Sequence, residues 1–200
     1  MDARQIMDSD AFKRCQAFHG HVCGGLAIGY LAATAGLDWL REKRALDEEL
    51  VAIVETDACC VDAIQALTGC TFGKGNLIHR DYGKMGFTFF NRRTGRGVRL
   101  AMKPDAFRVN DRQITLFRKT RDGSITDSER AELDALGMQR TVDVLNTRAE
   151  DLFSISAVTA GMPDKARIEP STPCARCGEP TMASKLETVD GARVCRGCLA

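Results

Sequence analysis

The feature that most limits what this chain can fold into lies near its end, where Cys174-Ala-Arg-Cys177 and Cys195-Arg-Gly-Cys198 form two CxxC pairs separated by 17 residues. That spacing, with turn-forming Gly178 and Gly197 beside the pairs, suits a tetrahedral zinc site. A segment so short has too little core to hold itself. Zinc bound by Cys174, Cys177, Cys195 and Cys198 is therefore expected to supply its folding energy. Four thiolates leave no open coordination position, so this zinc is read as structural, in a small treble-clef or zinc-ribbon-like domain over residues 174–200. Before it, residues 160–173 hold three of the five prolines and show neither helical nor strand periodicity. The stretch 161–173 reads as a linker, and residues 1–160 as one larger domain.

In that larger domain the run Phe18-His19-Gly20-His21-Val22-Cys23-Gly24-Gly25 places two of the three histidines and a thiol within five positions. Imidazole and thiolate are the groups that hold Zn, Ni, Cu or Fe, and Gly20 lets the backbone fold so that neighbouring side chains converge. The competing reading is a core histidine beside a buried free cysteine. Further along, Asp57 reads as the N-cap of a helix with Cys59 and Cys60 in its first turn. Unpaired amides and the helix dipole there favour an ionised thiol, at Cys59 above all, with Cys60 equally readable as a core side chain. The expectation is a site in which His19, His21, Cys23 and Cys59 give three or four ligands, with an open position for water or substrate. An enzymatic alternative uses Cys59 as nucleophile and His19 or His21 as base, with Lys74 binding an anionic group. Gly73-Lys74-Gly75-Asn76 offers amides and one ammonium to such a group, but it matches neither phosphate-loop pattern, and a plain tight turn is the stronger reading.

The patterning predicts a short helix over 8–18 and a longer one over 21–36, whose Gly25, Gly29, Ala33 and Gly36 form a small-residue face suited to a close backbone neighbour. Val51 to Glu55 reads as a strand, and the helix after Asp57 ends at Gly69. Phe87 and Phe89 face Val98, Leu100 and Met102 in a hairpin across Arg93 to Gly97. Ile114 to Phe117 reads as a further strand. Thr126 and Glu129 form a capping box opening one helix, or two broken at Gly137. Strands and helices interleave irregularly around a hairpin, which predicts an α+β domain with a mixed or antiparallel sheet and packed helices.

Charge excludes some partners. The chain carries 28 Lys and Arg against 27 Asp and Glu, with six against five in the last 40 residues. No basic block recommends nucleic acid or anionic lipid, and the near-neutral tail without interleaved aromatics argues against a nucleic-acid-binding regulator. No stretch of about 18 apolar residues occurs and the first residues lack a secretory pattern, so a cytoplasmic protein with no membrane partner is expected. Nine cysteines are an odd count, better explained by metal ligation and free thiols than by disulfides.

Phe18 to Tyr30, Glu55-Thr-Asp-Ala-Cys-Cys-Val-Asp-Ala-Ile-Gln65 and Thr68-Gly-Cys-Thr-Phe-Gly-Lys-Gly-Asn-Leu77 together resemble FmdE, a family of formylmethanofuran dehydrogenase components. The resemblance covers residues 10 to 158. It implies an α+β domain, usually a homodimer, in which the HGHxC segment and Cys59 form a metal-associated pocket holding a second transition metal. It also implies that Asp62, Cys70 and Lys74 act as supporting groups. The family name points to one-carbon metabolism and a molybdenum- or tungsten-enzyme partner. Two departures stand out: Cys60 follows Cys59 where a small non-thiol residue is expected, raising a vicinal dithiol with redox chemistry, and Gly24 replaces a frequent proline.

Overall fold

The computed structural model describes residues 1–106 and 108–200, which fall into two compact units, Met1–Lys165 and Ala166–Ala200. The first unit begins with α1 (Ala3–Asp8), α2 (Asp10–His19) and α3 (Gly24–Leu40), continues with β1 (Leu50–Val54), α4 (Cys60–Thr68), β2 (Leu77–His79), β3 (Gly86–Asn91) and β4 (Gly97–Met102), and ends with α5 (Asp111–Asp122), α6 (Asp127–Leu145), α7 (Ala149–Leu152) and β5 (Phe153–Val158). It is an α+β fold.

The five strands form one mixed sheet in the order β2-β1-β3-β4-β5. β2 runs parallel to β1, and the remaining pairs are antiparallel. The hairpin is in the expected register, with Phe87 opposite Leu100 and Phe89 opposite Val98. Alternation then sends Leu50, Ala52, Val54, Phe87, Phe89, Val98, Leu100 and Phe153 into the main core, while Val51, Ile53 and Phe90 pack on the other face. There Glu55 is almost buried, and its carboxylate accepts from Arg99 Nη2 at 2.9 Å.

α3 lies at the centre and is buried on nearly all sides. Its small-residue face does what the sequence implied. A Cβ on Gly29 would sit 2.7 Å from Cys60 Cα and closer still to the Cys60 carbonyl oxygen, so only glycine lets α3 touch the backbone of α4.

Several expectations are corrected. The helix expected over 8–18 is α2, from Asp10 to His19, preceded by the unexpected α1, and the one expected over 21–36 runs from Gly24 to Leu40. Ile114 to Phe117 is not a strand but the middle of α5, whose N-cap Asn110 accepts from Gln113 N. α6 does carry the Thr126–Glu129 capping box, and it passes unbroken through Gly137. Asp57 is not an N-cap, because α4 begins one residue after Cys59. The Gly73–Asn76 turn is fastened to the chain before β1: Asn76 is fully buried and donates to Leu50 O at 3.0 Å, and Lys74 Nζ donates to Asp47 O at 3.0 Å.

The second unit contains two hairpins, β6 (Ser171–Pro173) with β7 (Pro180–Met182) and β8 (Leu186–Val189) with β9 (Ala192–Cys195). Its buried cluster consists only of Cys174, Leu186 and Val194. Among the described residues, no helix in either unit is long and apolar enough to cross a membrane.

Candidate metal centres

The nine cysteines divide by environment. Cys15, Cys60 and Cys70 are fully buried in the main core, where burial pushes their thiols up to about 11, 12 and 11 respectively. Four cluster in the second unit, Cys23 groups with His19 and His21, and Cys59 adjoins Cys23.

In the second unit the sulfurs of Cys174, Cys177, Cys195 and Cys198 all lie within 4.8 Å of one another. A zinc–thiolate bond of about 2.3 Å in a tetrahedron places sulfurs about 3.8 Å apart, and Cys177 and Cys195 stand 3.9 Å apart. Cys195 N and Arg176 N donate to the Cys174 sulfur at 3.3 and 3.4 Å, and such amides, that of Cys195 foremost, draw its thiol down to about 6. Hydrogen bonding to Cys195 and Cys177 holds the Cys198 proton, pushing it up to about 12. Four crowded sulfurs cannot all be thiolates unless a cation offsets much of their charge, and a zinc dication bound to all four does so.

The first unit presents a different centre. α2 ends at Gly20, whose left-handed φ of 93° reverses the chain between His19 and His21. The two rings come to 4.4 Å between centroids. Cys23 is the N-cap of α3, and its sulfur accepts from Leu26 N at 3.4 Å. One donor atom from each of His19, His21 and Cys23 lies within 4.8 Å of the others. Asp62, on the first turn of α4, approaches His19 Nδ1 at 2.7 Å, while His19 Nε2 faces the Cys23 sulfur at 3.8 Å. An ionised Asp62 can only accept, so Nδ1 carries the proton and the Nε2 lone pair points at the thiol side. This is the carboxylate–histidine arrangement that orients imidazole ligands in metal sites.

Cys59 joins from the start of α4, next to the close approach at Gly29. A Cβ built on Gly25 would lie 3.0 Å from Cys59 Cβ and 3.8 Å from both the Cys23 and Cys59 sulfurs. Cys59 thus adjoins Cys23, although it falls outside the tightest group of donors. The expected easy ionisation of Cys59 is reversed: its thiol is raised, first by burial and then by Cys23. The reason is local. Cys59 sits at the N-cap in right-handed helical conformation and its side chain makes no capping hydrogen bond, so the amides of α4 do not stabilise its charge. Cys60 points elsewhere, its thiol near Ala58 O and Met85 Sδ at 3.7 Å, so the two neighbouring thiols face different surroundings. Cys70 lies in the core, and Lys74 is occupied with the carbonyls of Leu46 and Asp47; neither lines the cavity beside the centre.

That cavity has a volume of about 600 Å³ and is bounded by His21 to Gly25, Cys59, α5 and α6. Arg112 on α5 donates to Glu132 on α6 at 2.8 Å, and Lys119 pairs with Glu129, fixing the two helices as one wall. Gln113 and Phe117 are spaced by four on α5, as are Leu133 and Gly137 on α6, so one face of each helix turns inward. None of these four residues is among those expected at the site. Neither a motif nor a spacing ties them to the HGHxC segment some 90 residues earlier.

The sequence profile of the family described as FmdE, molybdenum formylmethanofuran dehydrogenase operon, matches residues 18–154. The chain belongs to the FmdE family. The FmdE domain is followed by a match to the prokaryotic dksA/traR C4-type zinc finger over residues 167–200, which contains the four-sulfur cluster. A probable S-adenosyl-L-methionine-binding protein of Archaeoglobus fulgidus is 30% identical over 183 residues, 87% of this chain and 49% of the relative. The chain therefore spans about half the length of that relative. In fold, the chain is similar to a crystal structure of a tungsten formylmethanofuran dehydrogenase FmdE-like protein from Syntrophus aciditrophicus, with a TM-score of 0.61 at 22% identity, over 99% of this chain and 92% of that one. The chain is a metal-binding FmdE-like protein, with its structural zinc in the finger.

Proposed function

We propose that His19, His21, Cys23 and Cys59 hold a second transition metal, Zn, Ni or Fe, with a coordination position open to the cavity. The chain then acts as a metal-handling accessory protein or subunit of the formylmethanofuran dehydrogenase type. The observation that carries this reading is the 2.7 Å contact of Asp62 with His19 Nδ1, which leaves Nε2 facing Cys23. A histidine merely satisfied in a core has no need of a second donor set at its other nitrogen, whereas a ligand does. His21 is exposed and lines the cavity, so a ligand entering there would meet the centre. In this reading the chain works as a homodimer in the cytoplasm beside a molybdenum or tungsten enzyme of one-carbon metabolism; the family's description, which names a molybdenum formylmethanofuran dehydrogenase operon, supports the enzyme partner alone.

Asp62→Asn is the direct test. Loss of the carboxylate should weaken metal binding at this centre about 10- to 100-fold, measured by chelator competition, with finger zinc unchanged. Unchanged affinity would remove the reading. The route in which Cys59 is a nucleophile is the weaker one, since its thiol is raised and Lys74 is engaged elsewhere.

A second reading comes from the Archaeoglobus fulgidus relative's description as an S-adenosyl-L-methionine-binding protein. The cavity, at about 600 Å³ with an aromatic wall at Phe117, is large enough for a nucleoside-bearing ligand. Equilibrium dialysis with labelled S-adenosyl-L-methionine would detect it, and no retention by the full chain would reject it.

A further inference from the structure

The cavity beside the His/Cys centre has polar groups on its inner side and apolar ones at its opening. Gln113 is 4% exposed and Arg140 is half-buried, while Phe117 and Met138, at 52% and 45% exposed, fringe the mouth. Leu133 and Val22 add apolar wall. Exposed aromatic and thioether side chains around a concavity leave apolar surface in water that a ligand would cover. Burial pushes the Arg140 guanidinium down, so an anion brought beside it would act across a poorly screened distance. Arg140 already has interactions of its own, but its five N–H donors leave capacity for a carboxylate, which the planar fork matches in geometry. Asp134, exposed on the same wall, repels each negative charge brought into the cavity, so a single carboxylate held at Arg140 is opposed less than a dianion would be.

We propose that this cavity is a binding site for a small monocarboxylate with an apolar body, its carboxylate held by Arg140 and Gln113, its body against Phe117, Leu133 and Met138, and its far end directed at the His/Cys centre. The proposal rests on the metal reading given above and adds the ligand class. Gly137 supplies an independent test. It lines the cavity in the middle of α6, and a Cβ built there meets no atom within 4 Å. A larger side chain at 137 therefore enters the space the ligand needs without opposing the helix.

The experiment is calorimetric titration of the full, zinc-loaded chain with 6-mercaptohexanoate, whose thiol lies at the end opposite its carboxylate, and with its primary amide, alongside metal analysis of each sample. The acid should bind about 10-fold tighter than the amide or better. Arg140→Met should bring the two within about twofold of each other by weakening only the acid, with Arg140→Lys intermediate. Gly137→Leu should abolish both while keeping the metal. Equal binding of acid and amide by the parent, equal weakening of both by Arg140→Met, undiminished binding by Gly137→Leu, or no binding by chains that carry the second metal would each overturn the proposal. Chains that carry finger zinc alone would instead overturn the metal reading.

Discussion

Gly29→Ala is expected to lower the stability of the first unit by about 3 kcal/mol or more, and to release any metal held by His19, His21, Cys23 and Cys59. The added methyl would strike the Cys60 carbonyl and backbone rather than a flexible side-chain tip, so α3 and α4 must separate. Alanine's better helix propensity returns only about 1 kcal/mol, so the clash decides the sign. Because Cys23 caps α3 and Cys59 immediately precedes α4, separation of the helices also parts the donors. Urea unfolding of the variant, with chelator competition on the same sample, measures both effects. A variant with parental midpoint and parental metal affinity would contradict the contact as the device that assembles the centre. Gly25→Ala is the milder companion. Its methyl would press on Cys59 Cβ at 3.0 Å and lie at ordinary contact distance, 3.8 Å, from the Cys23 and Cys59 sulfurs, so metal affinity should fall more than stability does.

The second large effect belongs to the zinc finger. Cys195→Ser should unfold residues 166–200 while leaving the first unit intact. Only Leu186 and Val194 accompany Cys174 in its buried cluster, and burying two such side chains contributes about 3 to 6 kcal/mol. Structural zinc sites of this kind contribute about 10 to 16 kcal/mol at neutral pH, so the metal dominates. Limited proteolysis should trim the variant to a fragment ending near Lys165, with the parent resistant until a strong chelator is added. Resistance of residues 166–200 in the zinc-free variant would show that the finger holds itself without metal.

What is legible in the sequence is what is local. The CxxC pairs, the Thr126–Glu129 capping box and the alternating hairpin each depend on residues close in the chain, and each forms as expected. The small-residue face of α3 is also visible, because glycine at three- and four-residue steps has meaning whatever the partner is. Ile114 to Phe117 reads as a strand from its β-branched and aromatic residues, whereas Asn110 and Gly123, the caps of α5, carry the truer signal. β5 has alternation in Phe-Ser-Ile-Ser-Ala-Val, yet its place beside β4 depends on pairing some 55 residues apart, and it escapes a local reading. At the site, the HGHxC donors are legible from their spacing and Asp62 only through the family resemblance, while the behaviour of Cys59 is not legible. One residue of displacement, from first turn to N-cap, removes the amides expected to stabilise its thiolate. Gln113, Phe117 and Arg140 reach the cavity only through the packing of α5 and α6, which no local pattern encodes.

The most direct test of the central claim is the metal content of the purified full-length chain beside a variant with serine at positions 174, 177, 195 and 198. If His19, His21, Cys23 and Cys59 form a metal centre, the parent holds about two metal ions per chain and the variant keeps about one, which Asp62→Asn then loosens. One zinc in the parent and none in the variant would contradict it.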